Sequence, residues 1–100
     1  MIRLTEALPK STTAETIGRQ LIRSAISVGA DYRAACRTKS TADIINKVKI
    51  VEEEADETLY WLELLVEAEI ISSAHLKELM TETDEIIAMT VASIKTLRAK

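Results

Sequence analysis

The sequence has no phenylalanine, two glycines, one proline, one cysteine and one histidine among 100 residues. So little glycine and proline, beside many Ala, Leu, Ile, Glu and Lys residues, disfavours strands and long loops and favours helices. The single cysteine, Cys36, excludes an internal disulfide, and the lone His75 leaves no Cys/His set for a metal cluster. We therefore predict an all-α protein of the reducing cytoplasm that carries no metal and no cofactor.

Long apolar runs and a strong charge imbalance are also missing. No segment resembles a signal peptide, and no run of about 18 apolar residues is long enough to span a membrane. The net charge of −3 argues against general attraction to nucleic acid, although a local basic face remains compatible with it. A chain of this length forms one domain with one modest core, so we expect partner subunits to contribute to its stability.

Apolar residues recur at helical spacing in four segments with short connections. Pro9 ends a first helix of about two turns. Thr12 with Glu15, and Ser40 with Asp43, have capping-box spacing and mark the next two helix starts. Short connections make neighbouring helices antiparallel, so we predict one domain, residues 1–100, folded as an up-down-up-down antiparallel four-helix bundle with a short first helix. The predicted helices span about residues 1–8, 13–38, 41–69 and 74–97.

The second predicted helix has an arginine face and a row of small residues. The small residues would let a neighbouring helix approach closely. They are Gly18, Ala25, Gly29 and Cys36. The arginines fall within about 80° of one another and form a candidate nucleic-acid contact, since guanidinium groups suit phosphates. They are Arg19, Arg23, Arg33 and Arg37. The alternative is a solvated face that pairs with the acidic third helix or with a neighbouring subunit.

The third predicted helix contains the acidic stretch EEEADETLYWLELL, residues 52–65. One apolar stripe along it suits a core, and a second apolar set falls on a face about 150° away. This second set is a candidate subunit interface: Ile50, Trp61, Leu64, Leu65 and Ala68. The alternative is that Trp61 simply lies against side chains of its own helix. The acids do not form a di-metal site, because that design needs Glu-x-x-His motifs on facing helices.

No residue set indicates catalysis. Ser24, Ser27 and Cys36 are nucleophiles by type only, and His75 lies far from them along the chain at a predicted helix start. No glycine-rich loop is present to stabilise an oxyanion. We therefore predict that the chain is not an enzyme.

Two segments carry a family resemblance. They are QLIRSAISVGADYRAAC at residues 20–36 and KSTADIINKVKIVEEEADETLYWLELL at residues 39–65. Both resemble the four-helix-bundle proteins encoded by intervening sequences in bacterial 23S rRNA genes. The resemblance implies a closed homo-oligomer, typically a pentamer. It also implies kinship with the accessory variability determinant of diversity-generating retroelements, which engages RNA and a reverse transcriptase.

The resemblance also bears on the arginine face and on the first helix. It suggests Arg19, Arg23, Arg33 and Arg37 as nucleic-acid contacts. Family members have a full-length first helix before the segment LTEALPK, so we expect either that the first helix is truncated at Met1 or that the bundle is completed another way. We predict a non-enzymatic oligomeric interaction module that binds RNA or an RNA-associated protein such as a reverse transcriptase. The alternative is a structural or regulatory protein-binding scaffold without nucleic-acid binding.

Overall fold

The structure, a computed structural model, describes residues 1–99, and within this range the chain forms four α-helices and no strand. The prediction of an all-α bundle with a short first helix is confirmed. The helices are α1 (Ile2–Ala7), α2 (Thr12–Arg37), α3 (Thr41–Glu67) and α4 (Ser73–Arg98).

The helix starts follow from hydroxyl side chains. Ser40 caps α3 as predicted, and its Oγ accepts a hydrogen bond from the Asp43 N–H at 3.5 Å. The cap of α2 is Ser11 rather than Thr12, since Ser11 Oγ accepts from the Ala14 N–H at 3.1 Å. Thr12 is instead the first helical residue. Residues 11–13 are all hydroxyl residues that suit a cap, so the sequence pattern did not distinguish them.

The end of α3 is a tight reversal formed without glycine. Glu69 has a φ of 59°, in the left-handed region. The Ile70 N–H donates to the Leu65 carbonyl at 3.0 Å, and the Glu69 N–H donates to the Val66 carbonyl at 3.0 Å. These two bonds satisfy carbonyls that would otherwise be unpaired, and together they form a Schellman motif. The helix therefore ends at Glu67, two residues before the predicted end.

The three long helices form a layer with α3 in the middle. α3 contacts α2 on one side and α4 on the other, and no Cα atoms of α2 and α4 approach within 8 Å. α1 packs against α2 at one end of the layer, so it occupies the fourth position of the bundle over part of the length only. Six helical residues span about 9 Å, whereas α2 spans about 39 Å.

The core is larger at the end that α1 covers. Its buried members there are Ile17, Leu21, Leu62, Leu65 and Leu76, with Leu4 and Leu8 of the α1 segment packed against them. The opposite end has a smaller cluster, formed by Ala35, Val48 and Ile94. Because α1 does not extend to the far end, that end of the bundle is thinly packed on one side.

Candidate partner-binding trough

A trough runs along α3 between α2 and α4, on the side of the layer where α1 lies. It contains two clefts, one of about 210 Å³ next to α1 and one of about 530 Å³ toward the far end. The first cleft is lined by Met1, Ala25, Val28, Ala55, Thr58, Leu79, Glu82, Thr83 and Ile86. The second is lined by Tyr32, Ala35, Cys36, Thr38, Ile44, Val48, Met89, Ala92, Ser93, Thr96 and Leu97. Most of these side chains are apolar, so the trough is an uncovered continuation of the core.

Two glycines of α2 show where the trough is filled and where it is open. A Cβ atom placed on Gly18 would lie 3.0 Å from Leu8 Cδ1, so α1 approaches α2 closely at this position. A Cβ atom placed on Gly29, about three turns further along α2, would have no atom within 4 Å. The close approach predicted for the small residues is therefore present at Gly18, while at Gly29 the same side of α2 is free.

The trough combines a buried floor with exposed walls. Ala55 and Val48 of α3 are 1% and 7% exposed and form part of the floor. Tyr32 of α2 and Met89 of α4 both line the larger cleft, and each is 46% exposed. Exposed large apolar side chains around a concave surface are typical of sites that bind another molecule.

The two edges of the trough carry opposite charges. Arg33 and Arg37 are exposed on α2 and lie about 40° and 80° around that helix from Gly29. Glu82 lines the cleft next to α1, and Glu78 and Glu85 lie one turn before and after it on α4, all three exposed. The α2 edge is therefore basic toward the far end, and the α4 edge is acidic toward α1.

The four predicted arginines do not act as one group. Arg23 lies between two carboxylates of α3: its guanidinium is 3.6 Å from Glu54 Oε2 and donates to Glu57 Oε1, which also accepts a hydrogen bond from Trp61 Nε1 at 3.2 Å. Within residues 1–99, Arg23 is the only one of the four with a carboxylate within 4.0 Å. The alternative reading of the arginine face, pairing with the acidic third helix, therefore holds for Arg23. The other three arginines are exposed: Arg19, Arg33 and Arg37.

The predicted subunit-interface residues lie in different environments. Leu65 is fully buried inside the core of its own chain, so its assignment to an outer face is corrected. α3 has a neighbouring helix on each side, and it therefore buries a wider arc than one apolar stripe. Trp61 and Leu64 are half-buried and pack against the same core, while Ile50 is 44% exposed and Ala68 is exposed at the end of α3.

The residue types considered for chemistry are not assembled into a site. Ser24 is fully buried; its hydroxyl donates to the Leu21 carbonyl and accepts from Thr58 Oγ1 at 2.9 Å. His75 Nδ1 lies 2.7 Å from the Ser72 hydroxyl. Across the described part of the chain, no three His, Cys, Asp or Glu side chains are placed to hold a metal ion. The same residues include no helix long and apolar enough to cross a lipid bilayer.

Comparison with known proteins identifies the family. The family model described as 23S rRNA-intervening sequence protein matches residues 1–92. A crystal structure of a protein of unknown function from the S23 ribosomal protein family of Bacteroides thetaiotaomicron VPI-5482 is similar, with a TM-score of 0.76 and 39% sequence identity. The match covers 79% of this chain and 73% of that one. A search of curated proteins found no match. The chain therefore belongs to the family of 23S rRNA-intervening sequence proteins.

Proposed function

We propose that this protein is a non-enzymatic interaction module whose trough between α2 and α4 binds an amphipathic helix. The observation that carries the proposal is the pair of mostly apolar clefts along α3, the larger of which has Tyr32 and Met89 each 46% exposed. A helix laid into an apolar groove is a recurring mode of recognition, in which residues at helical spacing anchor the contact. The trough offers that arrangement along α3, next to α1.

The dimensions of the trough set the length of the partner. α2 is about 39 Å long and α1 covers about 9 Å of the fourth position, which leaves about 30 Å. At 1.5 Å per residue, that length holds a helix of about 20 residues. Its contacts with the trough walls would remove Tyr32 and Met89 from water, and apolar burial supplies about 25 cal/mol per Å².

Cys36 offers a direct test, because it is the only cysteine of the chain, is exposed and lines the wider cleft. The probe is a 20-residue peptide with leucines at helical spacing and glutamines elsewhere. At a concentration of ten times its Kd, it should slow the reaction of Cys36 with a soluble disulfide reagent about tenfold, since only the free fraction reacts.

Two controls define the site. A peptide of the same composition with scrambled leucine spacing should not protect Cys36. A Cys36→Ser variant that carries Glu53→Cys on the exposed side of α3 should react at the same rate with and without the peptide. Equal reaction rates of Cys36 with no peptide, the amphipathic peptide and the scrambled peptide would exclude the trough as a helix-binding site.

Nucleic-acid binding is a second candidate, supported by the three exposed arginines that have no carboxylate partner within the described residues, Arg19, Arg33 and Arg37. Three phosphate contacts on single-stranded RNA predict that log K falls with log salt at a slope of about −2. Replacing the three by alanine should abolish that slope, and Arg23→Ala should leave it unchanged. A salt-independent signal, or equal effects of the two variants, would reject this candidate.

Self-association is a separate expectation that comes from the family resemblance, which implies a pentamer. The candidate residues that stay available for it on α3 are Ile50, Trp61, Leu64 and Ala68. Light scattering should then give a mass about five times 11.1 kDa, and Ile50→Glu should lower that mass. A wild-type mass of 11.1 kDa at micromolar concentration would contradict the expectation.

A further inference from the structure

We infer that the far end of the bundle binds the phosphate backbone of a nucleic acid, and that the strand contacts this end rather than the sides of the helices. The inference rests on the second candidate function and assigns to it a surface built from all three long helices. It follows from how the charged residues are divided along the bundle. None of the cations concerned lines either cleft of the trough, so the inference does not depend on what occupies the trough.

Packing brings three helix termini together at the far end. Ala35 of α2, Val48 of α3 and Ile94 of α4 form one buried cluster, so the end of α2, the start of α3 and the end of α4 lie side by side. Exposed cations lie on these segments and on the turn between α2 and α3, and we call this surface the basic end. They are Arg33, Arg37, Lys39, Lys49, Lys95 and Arg98.

The net charge of the far end is opposite to that of the rest of the molecule. Residues 28–50 and 89–98 comprise the last ten far-end residues of each long helix and the α2–α3 turn. They contain seven cations and two carboxylates, a net charge of +5. Residues 1–27 and 51–88 contain five cations and fourteen carboxylates, a net charge of −9. A polyanion is therefore attracted to the basic end and repelled from most of the remaining surface.

The cations of the basic end are not used in ion pairs of the protein. Within residues 1–99, the carboxylates that lie within 4.0 Å of a cation belong to Glu54 and Glu57, and both contact Arg23, which lies outside the basic end. A strand that contacts the basic end would thus release its counterions without displacing a carboxylate of the protein, and counterion release drives such binding.

A nucleic acid suits the basic end better than a single phosphate group or a lipid surface. The cations come from three helices at the end of a body 20 × 16 Å in cross-section, so they can reach several phosphates at once. Proteins that lie on a bilayer bury apolar side chains in it. Residues 34–47 and 93–99, which form the outermost part of the far end, expose no large apolar side chain.

The test measures binding of a fluorescein-labelled oligouridylate of about 20 nucleotides by fluorescence anisotropy over a salt series. One phosphate contact for each unit of net charge predicts that log K falls with log salt at a slope of about −3.5, steeper than the slope for three arginines. A basic-end variant with Lys39→Ala, Lys95→Ala and Arg98→Ala removes three contacts and leaves every arginine of α2 in place. Its slope should be less steep by about 2, which in 0.1 M salt corresponds to binding about 100-fold weaker.

A variant at the opposite end is the matched control. Arg3→Ala, Lys10→Ala and Lys77→Ala together remove the same charge from exposed positions. These positions lie toward the other end of a molecule 47 Å long, and the Debye length is about 10 Å in 0.1 M salt, so the Kd should stay within about twofold of the parent value. Both variants should keep the Tm of the parent because only exposed side chains change.

Each other outcome overturns a definite part of the inference. Equal losses in the two variants would mean that total charge, not the basic end, decides binding. Unchanged binding by the basic-end variant together with a loss in Arg19→Ala would mean that the strand lies along α2. Binding of the parent to vesicles with phosphatidylserine but not to the oligouridylate would mean that the end contacts a lipid surface. Binding to neither would overturn the nucleic-acid candidate as well and would leave helix binding in the trough in place.

Discussion

Substituting alanine at each of the two glycines of α2 tests whether the trough is open. Gly29 has an ordinary negative φ within α2 and open space around a Cβ atom. Alanine in an exposed helix interior is favoured over glycine by about 1 kcal/mol. Gly29→Ala should therefore stabilise the protein by about 1 kcal/mol, which corresponds to a rise in Tm of about 4–8 °C for a domain of this size.

Gly18→Ala is the matched control, because the same substitution in the same helix meets a neighbour. The new Cβ atom would lie 3.0 Å from Leu8 Cδ1, and the contact requires the leucine or the whole of α1 to move. Lost packing of Leu8 opposes the gain in helix propensity, since moving apolar side chains apart in a packed core costs about 1 kcal/mol or more. The net change at Gly18 should therefore be near zero or destabilising.

Urea unfolding followed by far-UV circular dichroism measures both changes. The two variants should keep the m-value of the parent, because neither alters the surface exposed on unfolding. The experiment should be run at two protein concentrations, since coverage of the trough by another copy would make stability depend on concentration. A loss of stability in Gly29→Ala that grows with protein concentration would refute the open trough, because it would mean that another molecule packs against Gly29.

Three further substitutions test local features of the fold. Glu69→Gly should stabilise the protein by about 1 kcal/mol in thermal unfolding, because Glu69 has a φ of 59° and glycine adopts this conformation without steric cost; an unchanged Tm would contradict this. Ser24→Ala should cost about 1 kcal/mol in urea unfolding because it removes one of the two hydrogen-bond acceptors of the buried Thr58 hydroxyl, the other being the Glu54 carbonyl. Adding Thr58→Val should cost less than the sum of the two single changes; full additivity would contradict the pairing. Arg23→Ala should cost no more than about 1 kcal/mol in the same assay because its side chain is 49% exposed, and a larger loss would show that Glu57 depends on it.

Much of the fold could be predicted from the sequence because helical periodicity and capping side chains are local signals. Ser40 and Pro9 marked helix boundaries that the structure confirms. The position of Leu65 could not be predicted in this way. Its face on α3 depends on where two neighbouring helices lie, and an apolar residue looks the same in a sequence whether its neighbour is α2 or another subunit.

The trough could be predicted only in part. The short first helix and the small residues of α2 were visible in the sequence, and Gly18 fulfils the predicted role. The opposite charges on the two edges were not visible, because Arg33 and Glu82 belong to different helices and are brought to the same trough only by packing on α3. The pairing of Arg23 with Glu54 and Glu57 likewise depends on the register between α2 and α3.

The core is packed more fully at the end that α1 covers than at the far end, and this difference connects α1 with binding of a helix in the trough. At the end that α1 covers, Leu21, Leu62, Leu65 and Leu76 are fully buried, and a fully buried leucine contributes about 1.5–3 kcal/mol. At the far end the buried cluster contains one large side chain, Ile94, with Ala35 and Val48. The ends of α2 and α4 there have less apolar contact and should open locally at lower free energy than the covered end. A helix bound in the trough would supply the missing contacts at that same end, so binding and local stability of the far end would increase together.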